Sequence, residues 1–342
     1  MCGIVGIFDT RERRPIDEAV LQRMNQTQFH RGPDDGGVHT EPGVGLAHRR
    51  LSIIDLSGGH QPLFNEDGSV AVVYTGEIYH FHELSEELLA AGHRFRTRCD
   101  TEVLVHAWEE WGPACVQRFR GMFAFAIWDR RQSTLFLARD RLGIKPLYYT
   151  LLGDGQLLFG SELKSLLAHD GWPRKLDPRS IEDYFGFGYV PEPRTIFIDV
   201  FKLEPGHTLT VRRGDVGVQS RQYWDVDFTP NGISDEDEAA GELIERLREA
   251  VKIRLISEVP LGAFLSGGVD SSAVVALMAG LGGEPVNTCS IAFGDPAFDE
   301  SRYAEQVARQ YRTNHQVGVV SPDDFSLLDK LAGLYDEPYA DS

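Results

Sequence analysis

The apolar pattern changes its rhythm between residues 214 and 237, and that change narrows the possible folds more than any other feature of the chain. Before it, short apolar runs bounded by turn residues predict strands at Ile4–Phe8, Gly43–His48, Val70–Tyr74, Phe123–Trp128 and Thr134–Ala138. Helical spacing predicts helices over Ile16–Gln28, over His82–Ala91 with Gly92 as its stop, and over Thr101–Trp111. After the change, helix Ala239–Leu255, strand Val259–Leu265, helix Ser271–Gly280, strand Asn287–Phe293 and helix Ser301–Tyr311 alternate. A βαβα order calls for a parallel sheet with helices on its faces. The acidic run Asp235–Glu238 reads as a solvated helix start, where carboxylates meet the positive end of the helix dipole. Two domains follow, over 2–215 and 233–342, with a linker at 216–232.

Charge excludes some functions. Asp and Glu number 52 against 34 Lys and Arg, a net charge of −18, which argues against broad nucleic-acid binding and against anionic membranes. A small anionic ligand needs only a local site and stays allowed. The longest apolar run, Met122–Trp128, has seven residues, too few to span a bilayer. The N-terminus has no basic region and meets Asp9 and Arg11 early, unlike a signal peptide. Cys2, Cys99, Cys115 and Cys289 form no CxxC pair, which fits a reduced, cytoplasmic setting.

Three of these cysteines read as small buried hydrophobes, but Cys2 has a special address. Loss of the initiator Met would leave its thiol and a free α-amine on one residue, and that amine, with a pKa of about 7.7–8, can serve as the base. A second chemical signal is Pro260–Ser272, which joins a strand to a helix through Ser266-Gly-Gly268. Its glycines allow close backbone approach to a phosphate, and its hydroxyls and the helix start supply donors. It is neither a GK[ST] loop nor GxGxxG.

Cys2, His30–Asp34, Arg49–Asp55, Gly76–Tyr79, Asp100–Glu102, Gly121–Ala126, Arg139–Tyr148 and Ser161–Lys164 are collinear motifs that resemble the class II glutamine amidotransferase domain. Their order is most similar to the glutamine-hydrolysing asparagine synthetases, and the likeness covers essentially the whole chain. The resemblance implies an α+β N-terminal-nucleophile sandwich (αββα), followed by a partial α/β adenine-nucleotide hydrolase-like parallel-sheet domain. It implies that Cys2 attacks the glutamine amide, with Gly76 in the oxyanion hole. It implies that Arg50 holds the glutamine α-carboxylate, that Glu77 and Gly76 line the glutamine site, and that Asp100 holds the α-amine. Ser266, Gly267, Gly268, Asp270, Ser271 and Ser272 resemble the pyrophosphate loop of ATP pyrophosphatases, with Leu265 and Phe293 bordering adenine and ribose and Asp270 placed for Mg²⁺. ATP and Mg²⁺ are thus the implied cofactors, and glutamine, aspartate and ATP the implied small-molecule partners. A homodimer is the expected assembly, with neither nucleic acid nor membrane as partner.

One position departs from the pattern. The family usually reads Asn-Gly-Glu-Ile-Tyr-Asn, and this chain reads Thr75-Gly-Glu-Ile-Tyr-His80. The missing Asn normally donates to the oxyanion, and losing one such donor costs about 10²–10³ in rate. Either the Thr75 hydroxyl substitutes or the glutaminase is weakened. Alternative readings are a relative that amidates another carboxylate, and a weakly active regulatory paralogue. Asp336–Ser342 resembles an Asp-Glu-Pro-Phe-Ala-Asp-Ser stretch of the synthetase domain, whose later pyrophosphate loop does not occur, so the second domain is expected to be truncated.

Overall fold

The computed structural model describes residues 1–342 apart from 216, 231, 233–234, 296–298, 321–327 and 341–342. The chain forms two units: Met1–Val226 together with Gly333–Ser342, and Asp227–Ala332.

The first unit holds two six-stranded antiparallel sheets. One has the order β10-β8-β9-β1-β3-β2, from β1 (Gly3–Asp9), β2 (Asp35–Glu41), β3 (Val44–Arg50), β8 (Tyr148–Leu151), β9 (Gln156–Gly160) and β10 (Val200–Lys202). The other has the order β12-β11-β7-β6-β5-β4, from β4 (Leu63–Phe64), β5 (Val70–Ile78), β6 (Gly121–Asp129), β7 (Thr134–Arg139), β11 (His207–Arg212) and β12 (Ser220–Gln222). Helices α1 (Glu18–Gln26), α2 (Phe81–Ala90), α3 (Asp100–Trp111), α4 (Cys115–Arg118), α5 (Leu163–Leu167) and α6 (Pro178–Phe187) cover the outer faces.

Strand alternation assigns the layers. Ile4 and Phe8 of β1 pack with Ala71 and Val73 of β5 between the sheets, while Val5 and Ile7 pack outward on Leu21 and Met24 of α1. Val70, Val72 and Tyr74 of β5 pack on Leu84, Val103 and Leu104 of α2 and α3. The result is the αββα stack, and every strand predicted for this half is present.

The strands of this unit that escaped the sequence pattern are the edge or short strands β2, β4, β10 and β12 and the interior strands β8, β9 and β11. β2 reads DGGVHTE and lacks apolar alternation. Part of the expected linker is structured: Ser220–Gln222 pairs with His207–Leu209, and Tyr223 Oη donates to Arg139 O at 2.8 Å. Residues 216, 231 and 233–234 of the expected linker and domain start, and 341–342 of the closing segment, lie outside the described residues.

The loop after β7 is built around Asp140, a fully buried carboxylate that accepts from four backbone N–H groups, of Phe123, Leu142, Ile144 and Lys145, at 2.9–3.1 Å. The closing segment docks by acid side chains. Asp336 accepts from Leu163 N at 2.6 Å and pairs with Lys164 at 2.9 Å. Glu337 accepts from Ile196 N at 2.6 Å and pairs with Lys202 at 2.6 Å.

The second unit is a three-stranded parallel sheet in the order β13-β14-β15, from β13 (Gly262–Phe264), β14 (Asn287–Phe293) and β15 (Asn314–Val320). Helices α7 (Glu236–Lys252), α8 (Val269–Leu281) and α9 (Ser301–Tyr311) accompany it, and α10 (Leu328–Leu334) follows. Asp235 caps α7 by accepting from Glu238 N at 2.9 Å, as its acidic start predicts. β13 is shorter than the predicted Val259–Leu265, because Ser257 hydrogen-bonds Val259 in a local turn and Pro260 has no N–H to give a ladder. β15 went unpredicted because it opens with the polar Asn-His-Gln. No helix among the described residues is long and apolar enough to cross a membrane.

Candidate active site

Cys2 lies at the start of β1, where the two sheets of the first unit come together. Its carbonyl accepts from the Thr75 hydroxyl at 2.8 Å and from Arg31 Nε at 2.9 Å. Its sulfur sits against one peptide group: Leu51 N donates to Sγ at 3.4 Å, and the thiol faces Leu51 O at 3.6 Å. Burial pushes the Cys2 thiol up from its ordinary value; the Leu51 backbone opposes that rise, and the nearby Glu77 carboxylate adds to it. The side chain is thus a neutral thiol until a base acts on it.

A small cavity of about 30 Å³ opens beside the sulfur, lined by Cys2, Arg50, Gly76, Glu77 and Asp100 together with Gln61, Tyr74 and Thr101. That volume holds roughly one water. A larger cavity of about 370 Å³, lined by Arg139, Tyr148, Tyr189 and Lys202, borders the Arg139–Tyr148 motif but contains none of the residues to which the resemblance gives a catalytic or binding role. The chemistry therefore directs attention to the smaller one.

Each wall of the small cavity has a local origin. Arg50 ends β3 and turns its guanidinium onto three carbonyls of the following loop: Ile54 at 3.1 Å, Asp55 at 2.7 Å and Leu56 at 3.4 Å. Asp100 is the first residue of α3, where the helix dipole favours a carboxylate. Its Oδ2 accepts from Tyr74 Oη at 2.7 Å and from Ile78 N at 2.9 Å. Burial nevertheless raises its pKa against those donors. Glu77 is pushed well above the carboxylate range by burial and then by the neighbouring Asp100 charge. Two acids, buried Asp100 and half-buried Glu77, share this wall, which suits a cationic amine.

Gly76 is required by space. A Cβ there would lie 2.1 Å from Met122 O and 2.8 Å from Phe123 Cα, on the paired strand. Thr75 does not line the cavity. On β5 it alternates with Tyr74 and Gly76, so it faces the layer between the sheets, fully buried, with its hydroxyl on the Cys2 carbonyl.

Cys2, Arg50, Gly76, Glu77 and Asp100 are thus brought together, and Thr75 stands behind the nucleophile. Sequence reasoning gave no role to Tyr74, Gln61, Arg31 or Lys145. Gln61 orders the wall, accepting from Tyr74 N at 2.7 Å and donating to Thr101 Oγ1 at 3.3 Å. Lys145 is 4% exposed, with its ammonium 3.2 Å from Met1 Sδ. Arg31 and Lys145 both lay within quoted motifs, which was the available signal.

In the second unit the Gly-rich loop runs from β13 into α8. Ser266 and Ser271 hydroxyls meet at 3.0 Å, and Gly268 N donates to Ser266 Oγ at 3.3 Å. Gly268 caps α8 on an exposed surface without any side-chain hydrogen bond to the first turn. Ser272 Oγ is buried without a hydrogen-bond partner. Both observations fit a phosphate ligand. Asp270 is exposed on the first turn of α8, and among the described residues it joins no cluster of three metal-ligating side chains. The Leu265 side chain is buried against Val275, Ala304 and Ala308, and its N–H donates to Cys289 O at 2.8 Å. Only its carbonyl side is left for a ligand. Phe293 ends β14, half exposed, at the carboxyl end of the sheet, where ligands of open α/β sheets bind.

Comparison with known proteins finds two family models in this chain. A glutamine amidotransferase domain model matches residues 1–224, and an asparagine synthase model matches residues 242–342. Asparagine synthetase [glutamine-hydrolyzing] 1 of Bacillus subtilis is 38% identical over 100% of this chain and 54% of its own length. A putative asparagine synthetase [glutamine-hydrolyzing] 2 of Methanocaldococcus jannaschii is 37% identical over 100% of this chain and 69% of its own. The amidase chyE of Penicillium rubens is 36% identical over 93% of this chain and 50% of its own. The chain therefore spans about half the length of two of these relatives. In structure, glutamine phosphoribosylpyrophosphate amidotransferase of B. subtilis, complexed with ADP and GMP, gives a TM-score of 0.51 at 16% identity, covering 99% of this chain and 94% of that one, which shows a shared fold. With both halves matched in order and full-length identities of 37–38%, the chain belongs to the family of glutamine-hydrolysing asparagine synthetases.

Proposed function

We propose that this chain supplies the glutaminase and the start of the ATP site of a glutamine-dependent asparagine synthetase. The observation that carries the reading is the convergence of Cys2, Arg50, Gly76, Glu77 and Asp100 on one cavity. Removal of Met1 leaves an α-amine on the nucleophile's own residue. The N-terminal amine of the unprocessed chain is already pushed down by burial, with Arg31 and Lys145 adding to the effect, so a neutral base is favoured at this spot.

The amine takes the thiol proton, and sulfur attacks the glutamine side-chain carbonyl. The C–N bond then breaks, and nitrogen leaves as ammonia with the proton returned to it. Water hydrolyses the thioester to glutamate. Arg50 offers a planar fork for the α-carboxylate, and Glu77 and Asp100 face the α-ammonium. A glutamine α-carboxylate at Arg50 competes with the Ile54, Asp55 and Leu56 carbonyls for its guanidinium N–H groups.

In the second unit, the aspartate β-carboxylate would take the adenylyl group of ATP with release of pyrophosphate, and ammonia would attack that carbonyl and displace AMP. Ser266, Ser271, Ser272 and the α8 start hold phosphate oxygens, and Asp270 is the carboxylate available to a phosphate-bound Mg²⁺. The test is glutamine-dependent ammonia release compared with Cys2→Ala, followed by ATP–pyrophosphate exchange with aspartate on the full-length protein. Equal release by both proteins refutes the glutaminase assignment. A second reading keeps the glutaminase but amidates another carboxylate; its prompt is that the P. rubens relative at 36% identity bears a different name, amidase. A carboxylate outperforming aspartate in the exchange assay would establish it.

A further inference from the structure

Away from the cavity, four side chains of the first unit converge at ion-pair distance but outside hydrogen-bond reach of one another. Glu66 lies in the turn between β4 and β5, His93 follows α2, and His106 and Glu109 lie one turn apart on α3. One ligand atom from each lies within 4.8 Å of every other. His106 Nδ1 is 3.6 Å from Glu109 Oε2 and 3.7 Å from Glu66 Oε2, and His93 Nδ1 is 3.9 Å from Glu109 Oε2. These separations are too long for hydrogen bonds. They are close to the roughly 3.4 Å between ligands that sit tetrahedrally about 2.1 Å from one ion.

His106 is fully buried, and neither of its ring nitrogens makes a hydrogen bond; buried Glu109 Oε2 makes none either. The outer atoms are anchored elsewhere. Glu109 Oε1 accepts from Arg131 Nη2 at 2.7 Å and Asn65 Nδ2 at 2.8 Å, and Glu66 Oε1 accepts from Arg94 N at 2.9 Å. The far nitrogens of the two rings face carboxylates: His93 Nε2 is 3.4 Å from Glu110 Oε2, and His106 Nε2 is 3.7 Å from Glu102 Oε1. Carboxylates behind ligating histidines are the usual outer partners of a metal site.

We propose that Glu66, His93, His106 and Glu109 bind one divalent transition ion, of which Zn²⁺ is the type suited to two imidazoles and two carboxylates. The ion ties the β4–β5 turn and the segment after α2 to α3, the helix whose first residue is Asp100. Its role is structural, since all four ligands come from protein.

Zn²⁺ is added to the chelator-treated full chain, metal content is measured, and thermal unfolding is followed. Co²⁺ serves as the spectroscopic probe. One ion per chain is expected, with tetrahedral Co²⁺ absorption lacking a thiolate charge-transfer band. A rise in Tm of about 5–10 °C is expected at a hundredfold excess over Kd. His93→Gln and Glu66→Gln, at less buried positions than His106, should abolish both effects while glutamine-dependent ammonia release persists. Three results would overturn the site: no absorption and no Tm shift, binding that survives both substitutions, or binding lost in Cys2→Ala with a thiolate band. In the first case, His106 is an imidazolium held among carboxylates.

Discussion

Thr75→Val removes a hydroxyl and little else, and it decides what this residue does. Thr75 is fully buried, and its hydroxyl donates to the Cys2 carbonyl at 2.8 Å. That carbonyl keeps Arg31 Nε at 2.9 Å in the variant, so no buried acceptor is orphaned. The stability cost is then that of one neutral hydrogen bond, about 0.5–1.5 kcal/mol. If the hydroxyl only positions the nucleophile, the kinetic cost is of similar size, and about 1.4 kcal/mol is tenfold. A direct oxyanion donor would cost about 10²–10³ instead. The geometry supports the smaller figure: kcat for glutamine-dependent ammonia release falls less than tenfold, and KM for glutamine is unchanged. The assay is glutamate formation with Cys2→Ala as baseline, beside urea unfolding of each variant. A hundredfold loss of kcat with an unchanged unfolding midpoint would refute the reasoning and make Thr75 a working oxyanion donor. Thr75→Asn, restoring the family's carboxamide, raises kcat if the missing donor impairs the oxyanion hole; an unchanged or lower rate would show that the Thr75 site lacks nothing.

Other substitutions probe the same scaffold. Gly76→Ala brings a Cβ to 2.1 Å from Met122 O, so β5 and β6 must part, at about 1–3 kcal/mol and with loss of ammonia release; a urea midpoint equal to the parent's would contradict this. Asp9 is fully buried; burial opposes its charge, but Arg14 Nε at 2.7 Å and three backbone N–H groups hold its pKa below the carboxylate range. The unfolded chain therefore binds more protons in acid, so this contribution is present at neutral pH and lost as pH falls below the ordinary Asp value. Asp9→Asn should destabilise at pH 7 and progressively less towards pH 3, which urea titrations across pH would show. Glu77 has the opposite sign. Its folded pKa is raised, so the folded chain binds more protons above the ordinary Glu value, and stability falls as pH rises from there towards the folded pKa. Glu77→Gln should flatten that fall, and glutamine binding to the parent at pH 7 should release protons, read by calorimetry in two buffers of different ionisation enthalpy.

The sheets were legible where burial on both faces makes strands continuously apolar, as in β1, β6 and β7. They were not where a strand is an edge, as in β2, or very short, as in β10 and β12, and the interior strands β9 and β11 were missed as well. The cavity residues were readable only through resemblance, since Arg50, Glu77 and Asp100 are ordinary charged residues until β3, β5 and α3 meet. The direction of Thr75 followed from alternation alone, because it shares a face with Ala71 and Val73. Tyr74 was hidden for the converse reason: an aromatic in an apolar strand reads as core, and its hydroxyl's partner is 26 residues away.

The docking of Asp336 and Glu337 has a consequence for the order of synthesis. Residues 227–332 form their own unit, yet the chain returns afterwards to complete the first one. A ribosome therefore makes both sheets of the first unit before the acids that neutralise Lys202 and satisfy Leu163 N and Ile196 N. Until then Lys202 and those two N–H groups wait for partners made more than 100 residues later. A piece cut at Val226 would be held permanently at that unfinished stage, with its β10 edge missing the acid that seals it.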